Sequence, residues 1–428
     1  MRKSLAARAL SLCQVEPPGY IKPFVSKNAD PLTILCLASY EKGAEFLREC
    51  KRQGCRVLLL TSQSVGEEPW PRDSIDQIFL MPDKHKAWHL PDVISSISYL
   101  ARTELIDRIV PLDDFDLETA AALREHLRVP GMGETTTRYF RDKLAMRMRA
   151  EVSGILVPEF VHLLNHRAIQ DFTLRVAPPW LLKPRAEASA TGIKKIETQE
   201  QLWAAIEGLG ERQSSFLLEC YVPGDIYHVD SIISERDVVF AASHKYGKPP
   251  MDVAHGGGIF ISTTVQRGSR DEQALISLNR QVLQAMGHVR GVSHTEFIKA
   301  HADERFYFLE TSARVGGANI VELVEASTGL NLWTEWARIE IAAGSGYSLP
   351  STREDYAGLI ITLARQDWPD TSAYDDPEIV WRLNKKSHAG LIIKSSDHDR
   401  IERLLAQYTK RFYTDFHASQ ALPDRPLH

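Results

Sequence analysis

The chain has 428 residues, 25% of them charged, and a net charge of −5. That is long enough for two or three domains with sizeable cores, and it offers no general attraction to nucleic acid or an anionic membrane. No apolar run approaches a membrane span. The five cysteines (Cys13, Cys36, Cys50, Cys55, Cys220) form no CxxC pair, which argues against a disulfide framework and for a reducing, cytoplasmic setting.

Residues 1–30 read as a flexible lead-in: Met1–Arg8 is basic but has no sustained apolar core, and Pro17-Pro-Gly follows. From 31 to 127 strand and helix signals alternate. Strands are expected at 33–38, 56–61, 77–80 and 108–112, with helices at 41–53, 88–102 and 116–127, which predicts a parallel sheet covered on both faces. Ser39-Tyr-Glu-Lys-Gly43 lacks the GxGxxG spacing of a dinucleotide site. His85 and His89 have helical spacing, but Lys84, Lys86 and Trp88 around them make a solvated helix face the simpler reading.

Residues 138–151 predict a basic helix carrying Lys143. A short strand ends at Lys183, and a loop of small residues, Ala186-Glu-Ala-Ser-Ala-Thr-Gly192, follows. Small residues let backbone N–H groups close on phosphate oxygens, and a nearby ammonium adds a point charge. Strand 216–219 runs into Glu219-Cys-Tyr-Val-Pro-Gly-Asp225, where a strand leaving its sheet exposes backbone groups suited to an adenine edge. A hairpin at 226–243 and a helix at 270–287 follow. The excursion Lys245–Asp252 with His255–Gly258 is either an acceptor pocket lining or a mobile surface loop.

The most informative segment pairs His294-Thr-Glu-Phe-Ile298 with Tyr307-Phe-Leu-Glu-Thr-Ser-Ala-Arg-Val-Gly-Gly-Ala-Asn319. A hairpin centred on Asp303 sets Glu296 opposite Glu310, with Ser312 on the same face. Two opposed carboxylates repel. A hard divalent cation offsets that repulsion, and two solvated glutamates on an exposed hairpin are the plain alternative. Past 330 a Trp-rich helix (331–343) and short pieces near 358–364, 378–384, 389–394 and 398–412 complete the chain. The segment Lys385–Leu391 is a loop that either caps the site or builds a dimer face.

In this order the features resemble the ATP-grasp superfamily across roughly residues 130–330, and the arrangement is similar to carboxylate–amine ligases and biotin carboxylases. The resemblance implies an α/β and α+β multidomain fold: an N-terminal Rossmann-like pre-ATP-grasp domain (31–127), an ATP-grasp domain (128–345) with a mobile lid at about 155–217, and a C-terminal α/β region (346–428). It implies that Lys143 and Lys183 contact ATP phosphates, with Ser189, Thr191 and Gly192 in the closing loop. Glu219, Tyr221 and Val222 would meet adenine, and His228, or Asp225 in its place, the ribose. Glu296, Glu310 and Ser312 would hold Mg²⁺, or Mn²⁺ in its place. Arg314 would meet the substrate carboxylate or the transferred phosphoryl group, with Lys183 and Asn319 assisting.

Ser312 stands where the superfamily usually has Asn, and the phosphate loop is poor in glycine. The activity so implied is ATP-dependent joining of a small-molecule carboxylate to an amine, with no nucleic-acid or membrane partner and with a homodimer left open. Two other readings keep the fold: a bicarbonate-using carboxylase-like subunit, although no Met-Lys-Met carrier pattern is present, and an ATP-binding regulatory protein of weakened catalysis.

Overall fold

The computed structural model describes residues 31–188, 191–251, 253, 257–344 and 346–418. The lead-in, Ser189 and His255 lie outside the described residues. Four parallel strands, β1 (Thr33–Ala38), β2 (Arg56–Ser62), β3 (Gln77–Met81) and β4 (Arg108–Pro111), form the first sheet in the order β3-β2-β1-β4. β1 and β4 are buried along their whole length, as strands covered on both faces must be. The helices Ala44–Arg52, Leu90–Leu100 and Leu117–Leu127 match the expected positions. His85 and His89 do not share a helix face. His85 sits at φ +54 in the Lys84–Ala87 turn, and His89 precedes the Leu90–Leu100 helix.

A second sheet is small and antiparallel: β5 (Phe160–His162), β6 (Trp180–Pro184), β7 (Lys194–Ile196) and β8 (Phe216–Cys220), in the order β5-β8-β6-β7. The helices His166–Arg175 and Gln199–Leu209 pack on it around buried Trp180, Phe172 and Leu202.

The third sheet has eight antiparallel strands. These are β9 (Gly224–Ser234), β10 (Asp237–Tyr246), β11 (Phe260–Thr264), β12 (Gly291–Ala300), β13 (Phe306–Ser312), β14 (Tyr356–Leu363), β15 (Ile379–Arg382) and β16 (His388–Ser395), in the order β13-β12-β9-β10-β11-β14-β16-β15. The C-terminal strands therefore extend the sheet that carries the acidic hairpin. Gly224 opens β9 where any side chain would collide: a Cβ there would lie 2.3 Å from the Lys299 carbonyl oxygen.

The basic helix is shorter than its charge pattern predicts. It spans Lys143–Val152, because the Asp142 side chain caps it by accepting from the Leu144 and Ala145 amides. Residues 134–140 form two brief turns instead. β12 and β13 pair as expected, Glu296 opposite Glu310 and His294 opposite Ser312. The register then shifts, with Phe297 opposite Phe308, so Leu309 is an extra residue in a bulge. The bulge changes the phase of alternation, so Glu310 faces the site while Phe308 stays fully buried against Phe297.

Candidate active site

A cleft of about 750 Å³ opens where the three sheets meet. Lys143, Lys183, Thr191, Glu219, Tyr221, Val222, Glu296, Glu310, Arg314 and Asn319 line it together. Residues from Lys143 to Asn319 thus line one cleft, which the ordered motifs alone imply only by resemblance.

Lys143 and Lys183, the two lysines expected from the sequence, are held by carboxylates. Lys143 donates from Nζ to Glu310 Oε2 at 2.7 Å and to the Glu187 carbonyl at 2.7 Å. Lys183 donates to Glu219 Oε1 at 2.5 Å, while Arg147 donates to Glu219 Oε2 at 2.8 Å through Nε. Arg147 also reaches the carbonyl of Leu309, the bulged residue. Burial opposes ionisation of Glu219, but the charges of Arg147 and Lys183 outweigh it and hold its pKa below the usual value. The expected adenine contact by this side chain is therefore corrected. Both Glu219 oxygens are engaged by cations, and the residue orients Lys183. The amides of Cys220 and Tyr221 are also committed, to the carbonyls of Glu159 (2.7 Å) and Pro179 (3.1 Å). Of Cys220, Tyr221 and Val222, only Val222 is left for the adenine-edge donor that the resemblance implies.

Neither ribose candidate faces the cleft. His228 is fully buried, with Nδ1 on Asp230 Oδ2 and Nε2 on the Ser262 hydroxyl, each at 2.7 Å. Asp225 accepts from Lys245 Nζ at 2.7 Å outside the cleft lining, which also takes Lys245 away from an acceptor pocket. From that excursion it is Tyr246, Pro249, Pro250 and Met251 that reach the cleft. Gly192, at φ +72, turns the closing loop without lining the cleft.

The opposed glutamates are neutralised by protein cations. Glu310 has Lys143. Glu296 accepts from the Tyr246 hydroxyl at 2.9 Å and lies 3.5 Å from His294 Nε2. Burial alone would lower the His294 pKa, but Asp230, whose Oδ1 is 2.9 Å from Nδ1, and Glu296 raise it to about 9. The repulsion expected to call for a metal is thus already offset. The donor set still fits one: two hard carboxylates face each other across β12 and β13 in an open cleft, the chemistry Mg²⁺ prefers. Ser312 is corrected out of that set. Its hydroxyl donates to Asp114 Oδ1, and it does not line the cleft.

Sequence reasoning misses Asp114. It follows β4 at the C-terminal edge of the parallel sheet, where ligands of such sheets gather. Arg314 Nη2 donates to Asp114 Oδ2 at 3.0 Å and Nη1 to the Val315 carbonyl at 2.7 Å. Burial works against the Asp114 charge, yet Arg314 and Arg141 hold its carboxyl well below the usual range. Lys42 pairs with Asp113, and Lys385 lines the cleft near Glu41, so the C-terminal region contributes to the site.

No family model matches the chain. By structure it is similar to an L-amino acid ligase from Bacillus licheniformis (TM-score 0.69, 16% identity, 92% of this chain and 100% of that one). It is also similar to an N5-carboxyaminoimidazole ribonucleotide synthetase from Thermus thermophilus (TM-score 0.67, 16% identity, 88% and 98%). The chain has the ATP-grasp fold. By sequence this ATP-grasp chain is 25% identical over 242 residues to an L-arginine-specific L-amino acid ligase of Bacillus subtilis, covering 55% of this chain and 58% of that protein. It is 25% identical over 203 residues to a D-alanine–D-alanine ligase of Chlorobaculum tepidum, covering 44% and 55%. The matches thus span little more than half the length of these curated relatives. No helix among the described residues is long and apolar enough to cross a membrane.

Proposed function

We propose that the protein is an ATP-dependent carboxylate–amine ligase whose substrates are amino acids. The observation that carries this reading is the Lys143–Glu310 pair at 2.7 Å, which joins a phosphate-directed cation to the acidic hairpin inside one cleft lined also by Arg314. The names of the sequence relatives support it, since both join amino acids.

In this reading residues 31–127, 128–345 and 346–428 are three domains, and the β5–β8 sheet is the lid. Lys143 and Lys183 bind the phosphates, and the Val222 amide meets the adenine edge. A substrate carboxylate oxygen attacks the γ-phosphorus, the bond to the β–γ bridging oxygen breaks, and ADP leaves. An amine nitrogen then attacks the acyl carbon of the acyl phosphate; inorganic phosphate departs and the nitrogen loses a proton. Arg314 neutralises the charge on the transferred group. Glu296 and Glu310 would hold Mg²⁺, which supplies further charge neutralisation at the phosphates. Positioning and electrostatics are the main levers in such transfers.

The test is ADP release over a panel of amino-acid pairs, with dipeptide mass as product readout. Glu310→Gln should lower turnover by at least about 100-fold, the scale of losing one preorganised electrostatic contact, while its unfolding midpoint stays close to wild type. A fully active Glu310→Gln, or a wild type whose ADP release responds only to bicarbonate, overturns the reading.

A further inference from the structure

Beside the acidic hairpin lies a group of nitrogen and oxygen donors that takes no part in the proposed transfer. His228 and Asp230 share one face of β9. His244 on β10 pairs opposite His228, and His294 on β12 pairs opposite Asp230. All four are buried, with His228, Asp230 and His244 fully so. Asp230 sits among the three imidazoles. Its Oδ2 is 2.7 Å from His228 Nδ1 and 3.8 Å from His244 Nδ1, and its Oδ1 is 2.9 Å from His294 Nδ1. One donor atom from each of His228, Asp230 and His294 lies within 4.8 Å of the other two. The far nitrogens meet oxygens: His228 Nε2 is 2.7 Å from the Ser262 hydroxyl, and His294 Nε2 is 3.5 Å from Glu296 Oε1. An imidazole with one nitrogen at a shared centre and the other fixed by an oxygen is the arrangement of a metal-ligating histidine. His244 adds an independent observation. Among the described residues neither of its ring nitrogens has a hydrogen-bond partner, although the ring is fully buried and stacks on His228 at 4.9 Å. Unpaired buried groups are costly, and hydrogen bonding among Asp230, His228 and His294 alone leaves that cost in place.

We propose that His228, Asp230, His244 and His294 form a metal site, separate from the Glu296–Glu310 pair, for a divalent transition metal of the Zn²⁺ class. Three imidazoles and one carboxylate suit Zn²⁺ and its neighbours, whereas Mg²⁺ takes oxygen ligands. Donors about 2.0–2.1 Å from a tetrahedral Zn²⁺ lie roughly 3.3 Å from one another. The separations of 2.7, 2.9 and 3.8 Å around Asp230 bracket that value. The ion replaces the ring protons that otherwise join the imidazoles to Asp230, and its two charges match Asp230 and Glu296. His294 and Gly316 line the cleft, and Gly316 lies against Asp230, where a Cβ would be 3.0 Å from Oδ1. That gives the ion a path in from the cleft. Four protein donors close a tetrahedral shell, as in structural rather than catalytic zinc sites, so the ion ties β9, β10 and β12 together beside Glu296.

The experiment strips the full chain of metal with a chelator, loads it with Zn²⁺ in excess Mg²⁺, and removes free metal by gel filtration. Wild type should retain about one Zn²⁺ per chain, and X-ray absorption at the zinc edge should show imidazole scattering. His244→Phe, which keeps the ring stack, and Asp230→Asn, which keeps the shape, should each weaken Zn²⁺ binding by more than about 100-fold, beyond the effect of an outer partner. Ser262→Ala, which frees His228 Nε2, should weaken it by about 10-fold. Glu310→Gln should retain the ion, which separates this site from the carboxylate pair. Failure of wild type to retain Zn²⁺, an all-oxygen shell in the absorption spectrum, equal affinity in His244→Phe and Asp230→Asn, or loss of the ion in Glu310→Gln overturns the proposal. The wild-type spectrum decides the matter even where a buried variant does not fold. None of these readouts uses turnover, so a failure of the ligase reading leaves them unaffected.

Discussion

At the scale of single residues, the site is organised by what neutralises what. Glu219 is 1% exposed and serves two buried cations at once. Such an arrangement contributes little net stability over an apolar substitute, but removing one partner leaves uncompensated buried charge. Glu219→Ala is therefore expected to destabilise the protein by about 3–5 kcal/mol in urea denaturation. Glu219→Gln, which keeps the shape and one acceptor, should cost less and still raise KM for ATP, since Lys183 loses its orienting charge. The same accounting explains why His228 misleads a sequence reader. It does lie directly across from Glu296 on the neighbouring strand. Yet His244 and Tyr246 on β10 pack over it at ring separations of 4.9 and 4.7 Å, so a position on the acid face is not a position in the cleft.

Among the elements, the helix Lys143–Val152 is tied to the loop that follows β6. Its cap, Asp142, accepts from two helix amides and pairs with Arg185, whose Nε lies 3.0 Å from Oδ1. Arg185 begins the closing loop, and its carbonyl accepts from the Lys143 amide at 2.8 Å. Asp142→Ala should cost about 1–2 kcal/mol through the lost cap and raise KM for ATP as well. Asp142→Asn, which caps comparably but lacks the charge, should restore most of the stability and less of the KM; denaturation and ADP-release kinetics on both variants check this. The strands of the first sheet are legible in the sequence because apolar runs bounded by polar turns have one physical reading. β11 and the helix Ile320–Thr328 are not. β11 is a short Phe-Ile-Ser-Thr-Thr run beside a glycine tract, and it is fixed by pairing with β14, which begins only at Tyr356. The helix Ile320–Thr328 begins at Asn319 in a left-handed conformation (φ +61) directly after the Gly316-Gly317 turn, so its start is set by tertiary placement. The hairpin register is legible from His294 to Glu296 and misread beyond it, because a bulge carries no composition signal here other than the Leu309 it displaces.

For the molecule as a whole, stability and acidity are linked through histidines that folding strips of water. His288 is buried at the end of the long Arg270–Met286 helix, edge-on to Phe140 at 5.0 Å, with Nε2 3.2 Å from the Val292 carbonyl. Burial, and more weakly Arg124, lowers its pKa to about 4 despite that carbonyl. A depressed histidine is neutral when folded and takes up a proton on unfolding once the pH falls below its free value near 6.5. Its contribution is therefore complete above about pH 6.5 and is lost as the pH falls towards 4, by up to about 3 kcal/mol. His244, lowered to about 3 chiefly by burial, acts in the same direction. Urea denaturation between pH 7 and 4 should show falling stability, and His288→Leu should flatten the slope by close to one proton.

The contact of Asp114 with Ser312 and Arg314 joins positions 198 and 200 residues apart. The anion that steadies Arg314 is thus delivered by a sheet folded from the first third of the chain, while the arginine itself arrives in the last third. In the proposed ligase reading, a chain still being made lacks the substrate site until both pieces have docked and so does not spend ATP, and a chain cut between residues 127 and 143 should regain activity only by reassembly of the two fragments.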